Sequence, residues 1–252
     1  MDIRGKAAVV VGGASGMGRA TAEALAAAGA RVAVLDRQQS EEAPIAEQIG
    51  GPFYACDITD PDGTEEAMSA VVDALGELHI AVNTAGGGAI QRTLGREGVH
   101  DLETFQQVVD LNLVGTFNLN RLQAQHMSAN ESDDEERGVI INTSSIAAFE
   151  GQIGQVAYTA AKAGIAGMAL TMARDLGSLG IRVLAIAPSL FSTGATAGFS
   201  EEQAAPLVKD AAFPRRMGRP EEYARLALAI VDNPMLNGQC IRLDAGQRFA
   251  PR

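Results

Sequence analysis

The stretch from Ala7 to Asp36 constrains the fold more than any other. Ala7–Val11 (AAVVV) is a continuous apolar run with no polar face, as in a strand covered on both sides. It runs into Gly12-Gly13-Ala14-Ser15-Gly16-Met17-Gly18, and an Ala-rich helix follows to about Ala28, where Gly29 stops it. Arg31–Leu35 is a second apolar strand that ends at Asp36. Two such strands joined by one helix within about 30 residues form a parallel βαβ unit. In that context the glycines at Gly12, Gly16 and Gly18 have a mechanical purpose. They let the backbone turn tightly and approach a pyrophosphate at the helix N-terminus. The carboxylate of Asp36 suits the ribose hydroxyls of an adenosine and repels a 2′-phosphate, so NAD is expected over NADP. Arg37 beside it offers a phosphate partial counter-charge, and a solvated strand-end Asp is the plainer reading.

The alternation continues along the chain. Gly51–Cys56 reads as a third strand ending at Asp57, and Pro61–Leu75 as a helix capped by Asp60. His79–Val82 is a fourth strand that ends in Asn83-Thr84-Ala85-Gly86. A loop over 87–100 is long enough to be functional. Asp101 caps a long helix that is expected to reach Met127 and to bury Asn112, an amide that needs hydrogen-bond partners. Residues 130–137 form an acidic, solvated loop. Strands follow at Gly138–Ile141, Arg182–Ala187 and Gln239–Leu243, with a helix through Tyr158 to about Leu179 and a last helix opened by Pro220. Residues 194–213 carry no strong core face and are expected to form a lid over the site. The whole predicts one α/β domain over 1–252, a Rossmann fold: a doubly wound, parallel, seven-stranded sheet with helices on both faces. No repeat or linker divides it.

In such a sheet ligands bind at the carboxyl ends of the strands. The chemistry-bearing residues gather there, and the most pointed set is Ser145, Tyr158 and Lys162. Tyr158 and Lys162 stand at i and i+4, so a helix puts them on one face. An ammonium beside a phenol favours the phenolate, which is expected to lower the Tyr158 pKa and let it exchange a proton near neutral pH. Ser145 can hydrogen-bond the same substrate oxygen. That arrangement suits proton transfer to an oxygen whose carbon gains or loses hydride, chemistry that needs a cofactor. Taken alone, the pair also fits an amphipathic helix with a snorkelling Lys.

The net charge of −11 argues against a general nucleic-acid or anionic-membrane surface. No apolar run is long enough to span a bilayer, and none reads as a secretory signal. Cys56 and Cys240 sit in apolar runs without metal-ligand spacing, as reduced thiols of a cytoplasmic protein do. His79, His100 and His126 are scattered, so no metal site is expected.

With these residues placed, the chain resembles the short-chain dehydrogenase/reductase family over essentially its full length. The family's glycine motif maps onto Gly12, Gly16 and Gly18, its Asn-Asn-Ala-Gly onto Asn83-Thr84-Ala85-Gly86, and its Tyr-x-x-x-Lys onto Tyr158 and Lys162. Its Ser maps onto Ser145 and its catalytic Asn onto Asn112. Three positions depart from the pattern: Val11 replaces a Thr, Thr84 the second Asn, and Ser189 a Gly after Pro188. The first removes a hydrogen bond that steadies the glycine loop; none removes a reacting group.

The resemblance implies that Ser15, Met17, Asp36, Asp57, Ile58, Asn83, Thr84, Ala85, Phe191 and Thr193 contact NAD, together with Tyr158 and Lys162. It implies that Lys162 also holds the nicotinamide ribose, and that Asn112 holds a water linking Lys162 to solvent. Residues 101–192 and the C-terminal segment are most similar to members acting on 3-hydroxyacyl-CoA in lipid metabolism. The implied substrate is therefore an acyl-CoA or steroid-like thioester, held at Ser145 and Tyr158 in a homotetramer. A hydroxysteroid or simple secondary alcohol is the alternative. A nucleotide-binding regulator without catalysis is the alternative from another class, and such proteins typically lose the Tyr or the Lys. Arg92, Arg96, Arg215 and Arg216 lie in or beside the less similar segments 87–100 and 194–213, where they could meet a CoA phosphate or simply be solvated.

Overall fold

Alternate residues of the first apolar run face opposite sides of a sheet, and both sides are filled. The computed structural model describes residues 1–38, 44–96, 98–196 and 198–251. In chain order the first elements are β1 (Ala7–Val11), α1 (Gly16–Ala27), β2 (Arg31–Asp36), α2 (Ile45–Ile49), β3 (Phe53–Ala55), α3 (Pro61–Leu75) and β4 (Ile80–Asn83). A hairpin of β5 (Leu94–Gly95) and β6 (Gly98–Val99) precedes α4 (Leu102–Val109), a π-helical segment at Asp110–Val114 and α5 (Gly115–Ser128). Then come β7 (Gly138–Thr143), α6 (Ala147–Glu150), α7 (Val156–Leu176), β8 (Ile181–Pro188), α8 (Glu201–Val208), α9 (Pro220–Asp232) and β9 (Cys240–Leu243).

Among the described residues one sheet of seven strands has the order β3-β2-β1-β4-β7-β8-β9, with every pairing parallel. Ala7, Val9 and Val11 pack with Met68, Leu119 and Met172, on the face covered by α3, α5 and α7. Ala8 and Val10 pack with Leu25, Ile45, Tyr223 and Ile230, on the face covered by α1, α2 and α9. Continuous apolar strands without a polar face are what a sheet covered on both sides requires. The order reverses between β1 and β4, and a crevice opens at their carboxyl ends, where α/β sheets bind ligands.

The expected elements are present, with differences that have local causes. The long helix begins at the predicted cap, where Asp101 Oδ2 accepts the Thr104 N–H at 2.8 Å, but a π turn at Asp110–Val114 interrupts it. Asp60 holds the N-cap position of α3, yet its carboxylate accepts no backbone N–H; it turns over Gly63, and its carbonyl receives the Thr64 hydroxyl at 2.7 Å. Helices α2 and α6 and the β5–β6 hairpin are too short to leave a periodic signal. Residues 194–213 contain a 3-10 turn at Gly194–Thr196 and helix α8, capped by reciprocal Ser200–Gln203 hydrogen bonds. This segment has more of a core face than its composition suggests, because Val208 and Ala211 are buried. Residue 197 of the expected lid and residue 97 of the preceding loop lie outside the described residues. Both cysteines are free thiols, Cys56 buried and Cys240 half-buried. No described helix is long and apolar enough to cross a membrane.

Candidate active site

The glycine loop is dictated by backbone that has no room for side chains. Gly12 and Gly16 adopt left-handed conformations, with φ of +76° and +52°. A Cβ on Gly18 would lie 2.1 Å from the Gly12 carbonyl oxygen, so the start of α1 can rest on the loop only as glycine. Ser15 precedes α1 in an extended conformation, and its hydroxyl makes no capping bond. The N–H groups of the first turn therefore remain available at the crevice. Asp36 Oδ2 accepts the Ala14 N–H at 3.0 Å, so the acid that ends β2 also braces the loop after β1.

Thr84 supplies part of what Val11 lacks. Its hydroxyl reaches the carbonyl oxygens of Val11 at 2.9 Å and Gly12 at 3.2 Å, joining the end of β4 to the loop. The two departures from the family pattern thus meet in one contact. Asp57 accepts the N–H and the hydroxyl of Thr59, which holds its carboxyl below the usual range. A cleft of about 530 Å³ collects Gly12, Ser15, Asp36, Arg37, Asp57, Ile58, Thr84, Ala85 and Gly86.

A second cleft of about 390 Å³ contains Met17, Ser145, Tyr158, Lys162, Phe191 and Thr193, and it shares Thr84, Gly86 and Gly87 with the first. Tyr158 and Lys162 project from α7, and Ser145 stands just after β7. Phe191 is buried and held by a close approach of Gly218, where a Cβ would lie 2.6 Å from the ring.

The electrostatics differ from the sequence expectation. Lys162 Nζ donates to the Thr143 carbonyl oxygen at 2.8 Å and lies 5.6 Å from the Tyr158 ring centroid. Burial pulls the Lys162 ammonium down to about 8. Burial also pushes the Tyr158 phenol up, with neighbouring Ser145 opposing the shift. Lys162 does not lower Tyr158 in this structure, because its ammonium is engaged by a backbone carbonyl and both groups are desolvated.

Asn112 sits in the π segment, fully buried. Its amide donates to the carbonyls of Gly87 at 2.6 Å and Val108 at 2.8 Å, and it accepts the Gly87 N–H at 3.2 Å. A Cβ on Gly86 would fall 2.7 Å from Asn112 Oδ1 and 3.2 Å from Lys162 Nζ, so this glycine lies between the two side chains. A Cβ on Gly88 would fall 3.0 Å from the Tyr158 ring. The Gly86-Gly87-Gly88 run is thus threaded through Asn112, Lys162 and Tyr158. Two of these glycines escaped the sequence reading, although three successive glycines after a strand are a signal of close backbone approach.

Asn83 is placed elsewhere than expected. Its side chain is buried among Asn120, Gln123 and Asn142, and it lines neither cleft. It is the last residue of β4, where strand alternation turns its side chain away from the crevice and toward α5. Arg216 is also committed elsewhere, in a two-pronged ion pair with Glu222.

The first cleft fits the adenosine half of a dinucleotide. Glycine φ values and excluded Cβ positions keep the backbone bare at the helix N-terminus, and an acid stands at the end of β2. Residues 6–204 match the family model described as short chain dehydrogenase. The chain is 45% identical to the 3-hydroxyacyl-CoA dehydrogenase type-2 of Drosophila melanogaster, over 99% of this chain and 100% of that protein. It is 46% identical to the protein of the same name from Homo sapiens, over 99% and 98%. The crystal structure of 3-hydroxyacyl-CoA dehydrogenase type-2 from Mycobacterium avium superposes with a TM-score of 0.93 at 40% identity, covering 98% of each chain.

Proposed function

The chain belongs to the short chain dehydrogenase family, and from that premise we propose that it is an NAD-dependent dehydrogenase interconverting 3-hydroxyacyl-CoA and 3-oxoacyl-CoA thioesters. The observation that carries the reading is the continuity of the two clefts. Ser145, Tyr158 and Lys162 open into the same crevice as the glycine loop and Asp36, with Thr84, Gly86 and Gly87 common to both halves.

In the oxidative direction the substrate hydroxyl lies against Ser145 and Tyr158, and the Tyr158 oxygen takes its proton. The Ser145 hydroxyl donates to the same substrate oxygen and fixes its place. Lys162 stands beside the phenol with its ammonium on the Thr143 carbonyl, at the junction of the two clefts. In the reductive direction the raised Tyr158 pKa keeps the phenol protonated, the form that gives a proton to a new alkoxide. The nicotinamide dinucleotide, when bound, supplies the hydride acceptor or donor. Gly12, Ser15, Gly16, Met17 and Gly18 would hold its phosphates, Asp36 its adenosine ribose, Asp57 and Ile58 its adenine, and Lys162, Phe191 and Thr193 its nicotinamide end. Asn112 holds the Gly87 backbone beside Lys162, and a water between Asn112 and Lys162 would open a proton path to solvent. Thr196 lines the second cleft, which supports a lid role for the described residues 194–196 and 198–213.

The family relatives named for 3-hydroxyacyl-CoA support the thioester, and Asp36 at the ribose end supports NAD. The half-exposed Val114 and Phe117, in the π segment and α5, support assembly into a homotetramer through the long helices. A cytoplasmic enzyme of lipid metabolism accords with the free thiols. The test is loss of reduced-cofactor absorbance with acetoacetyl-CoA, run with NADH and NADPH in parallel. Fast turnover with NADH alone is expected. Turnover confined to steroid ketones would move the substrate class, and preference for NADPH would overturn the role of Asp36.

A further inference from the structure

We propose that Tyr223, on α9 and outside both clefts, is a positioning residue for Lys162 and acts through Thr143. The inference rests on the dehydrogenase reading of the Tyr158–Lys162 pair. Three hydrogen bonds carry it. The Thr143 hydroxyl donates to the Asn83 carbonyl at 2.7 Å. A hydroxyl has one proton to give, so in the 2.7 Å contact between Thr143 Oγ1 and Tyr223 Oη the phenol is the donor. Lys162 Nζ then donates to the Thr143 carbonyl oxygen at 2.8 Å.

Thr143 is the last residue of β7, where the sheet no longer holds the chain on every side. Its side chain is clamped between the end of β4 and α9, and its carbonyl receives the ammonium. Tyr223 is fully buried, packed with Val10, Val82 and Ile186, so its hydroxyl has no water to turn to. Burial pushes the phenol well above its ordinary pKa and keeps it a donor throughout the working range. Without that donor the Thr143 hydroxyl keeps a single partner, and the peptide that seats Lys162 gains freedom. The titratable group facing Lys162 is Tyr158, and burial pulls the Lys162 ammonium down. The Thr143 carbonyl is the acceptor that offsets part of that burial for the charged form, so how well it is presented bears on the proton affinity.

The chain has three lysines, Lys6, Lys162 and Lys209, so lysine-selective 13Cε labelling yields a spectrum in which Lys162 can be followed through its titration without cofactor or substrate. Conservative Lys6→Arg and Lys209→Arg changes assign the signals. In Tyr223→Phe the Lys162 titration is expected to fall by about half a unit, because the charged form loses a well-placed acceptor. Turnover is expected to drop about tenfold with the KM for NADH within about twofold, and the pH profile of the oxidation rate to shift along with the Lys162 titration. Thr143→Val should reproduce these changes, and Thr143→Ser, which keeps the hydroxyl, should restore them. An unchanged Lys162 titration and pH profile in Tyr223→Phe would overturn the proposal, even if Tm fell. If Tyr223→Phe does not fold, the contrast between Thr143→Val and Thr143→Ser decides in the same way. A wild-type protein inactive on every ketone would count against the dehydrogenase reading, and the lysine titration would still decide the role of Tyr223.

Discussion

The ammonium of Lys162 lies over the ring of Tyr158, 5.6 Å from its centroid, and gives its hydrogen bond to the Thr143 carbonyl. A fully buried cation with one backbone acceptor is costly to the fold. Its folded-state pKa of about 8 lies below the ordinary 10.5, a gap of roughly 3 kcal/mol in favour of the neutral form. Below pH 8 both folded and unfolded chains carry the charge, and the cost is present in full. Between pH 8 and 10.5 the folded state sheds its proton first and the cost declines. Lys162→Met is therefore expected to raise Tm relative to wild type at pH 7, with the gain shrinking toward pH 10. Thermal unfolding at both pH values measures this, and a gain that grows with pH would refute the burial cost.

Tyr158→Phe leaves the ring packed against Gly88 and removes the oxygen proposed to exchange the proton. Turnover is expected to fall by at least about a thousandfold, in line with loss of a positioned acid–base group, while NADH still binds. Steady-state rates and fluorescence titration with NADH separate the two effects. Retained turnover would remove Tyr158 from the reaction.

Asp36 accepts the Ala14 N–H and faces the end of the first cleft. Asp36→Ser keeps a short polar group and removes the negative charge. The KM for NADH is expected to rise by about tenfold or more, as for loss of a charged hydrogen-bond acceptor, and that for NADPH to fall. An unchanged ratio of the two kcat/KM values would show that Arg37 or another group sets the preference.

Thr84 ties the end of β4 to the glycine loop through the carbonyls of Val11 and Gly12. Thr84→Val preserves shape and leaves both carbonyls without that donor. Stability is expected to fall by about 1–2 kcal/mol, with weaker NADH binding and little change in kcat at saturating cofactor. Denaturant unfolding and the KM for NADH report the two.

Arg182 shows what a strand residue can do beyond its pattern. Buried in β8, it pairs with Glu136 at 2.7 Å and donates to the carbonyls of Ile230, Val231 and Leu236 at the end of α9 and just beyond it. Arg182→Met is expected to cost about 3–5 kcal/mol, because Glu136 and the Val231 carbonyl keep only the Met1 ammonium and the Ile230 and Leu236 carbonyls lose the guanidinium. Urea unfolding measures the loss, and a change under 1 kcal/mol would mean that water replaces the guanidinium.

The sequence by itself determined the layered fold and the neighbourhood of the site. Continuous apolar runs such as Ala7–Val11 and Val183–Ala187 fit a sheet covered on both faces, and each leads straight into a segment that lines a cleft, because ligands gather at strand ends. The i, i+4 spacing of Tyr158 and Lys162 fixes their shared helix face from local geometry alone. The tertiary structure decided which way the strand-end groups point and what they touch. Asn83 turned into a buried amide cluster, Thr84 took over the support that Val11 cannot give, and Lys162 found the Thr143 carbonyl. It also drew Tyr223 to Thr143 across 80 residues and pushed the Tyr158 phenol up. Those outcomes depend on contacts between distant segments and on water being excluded from all of them together, and neither quantity is carried by the spacing of residues along a chain.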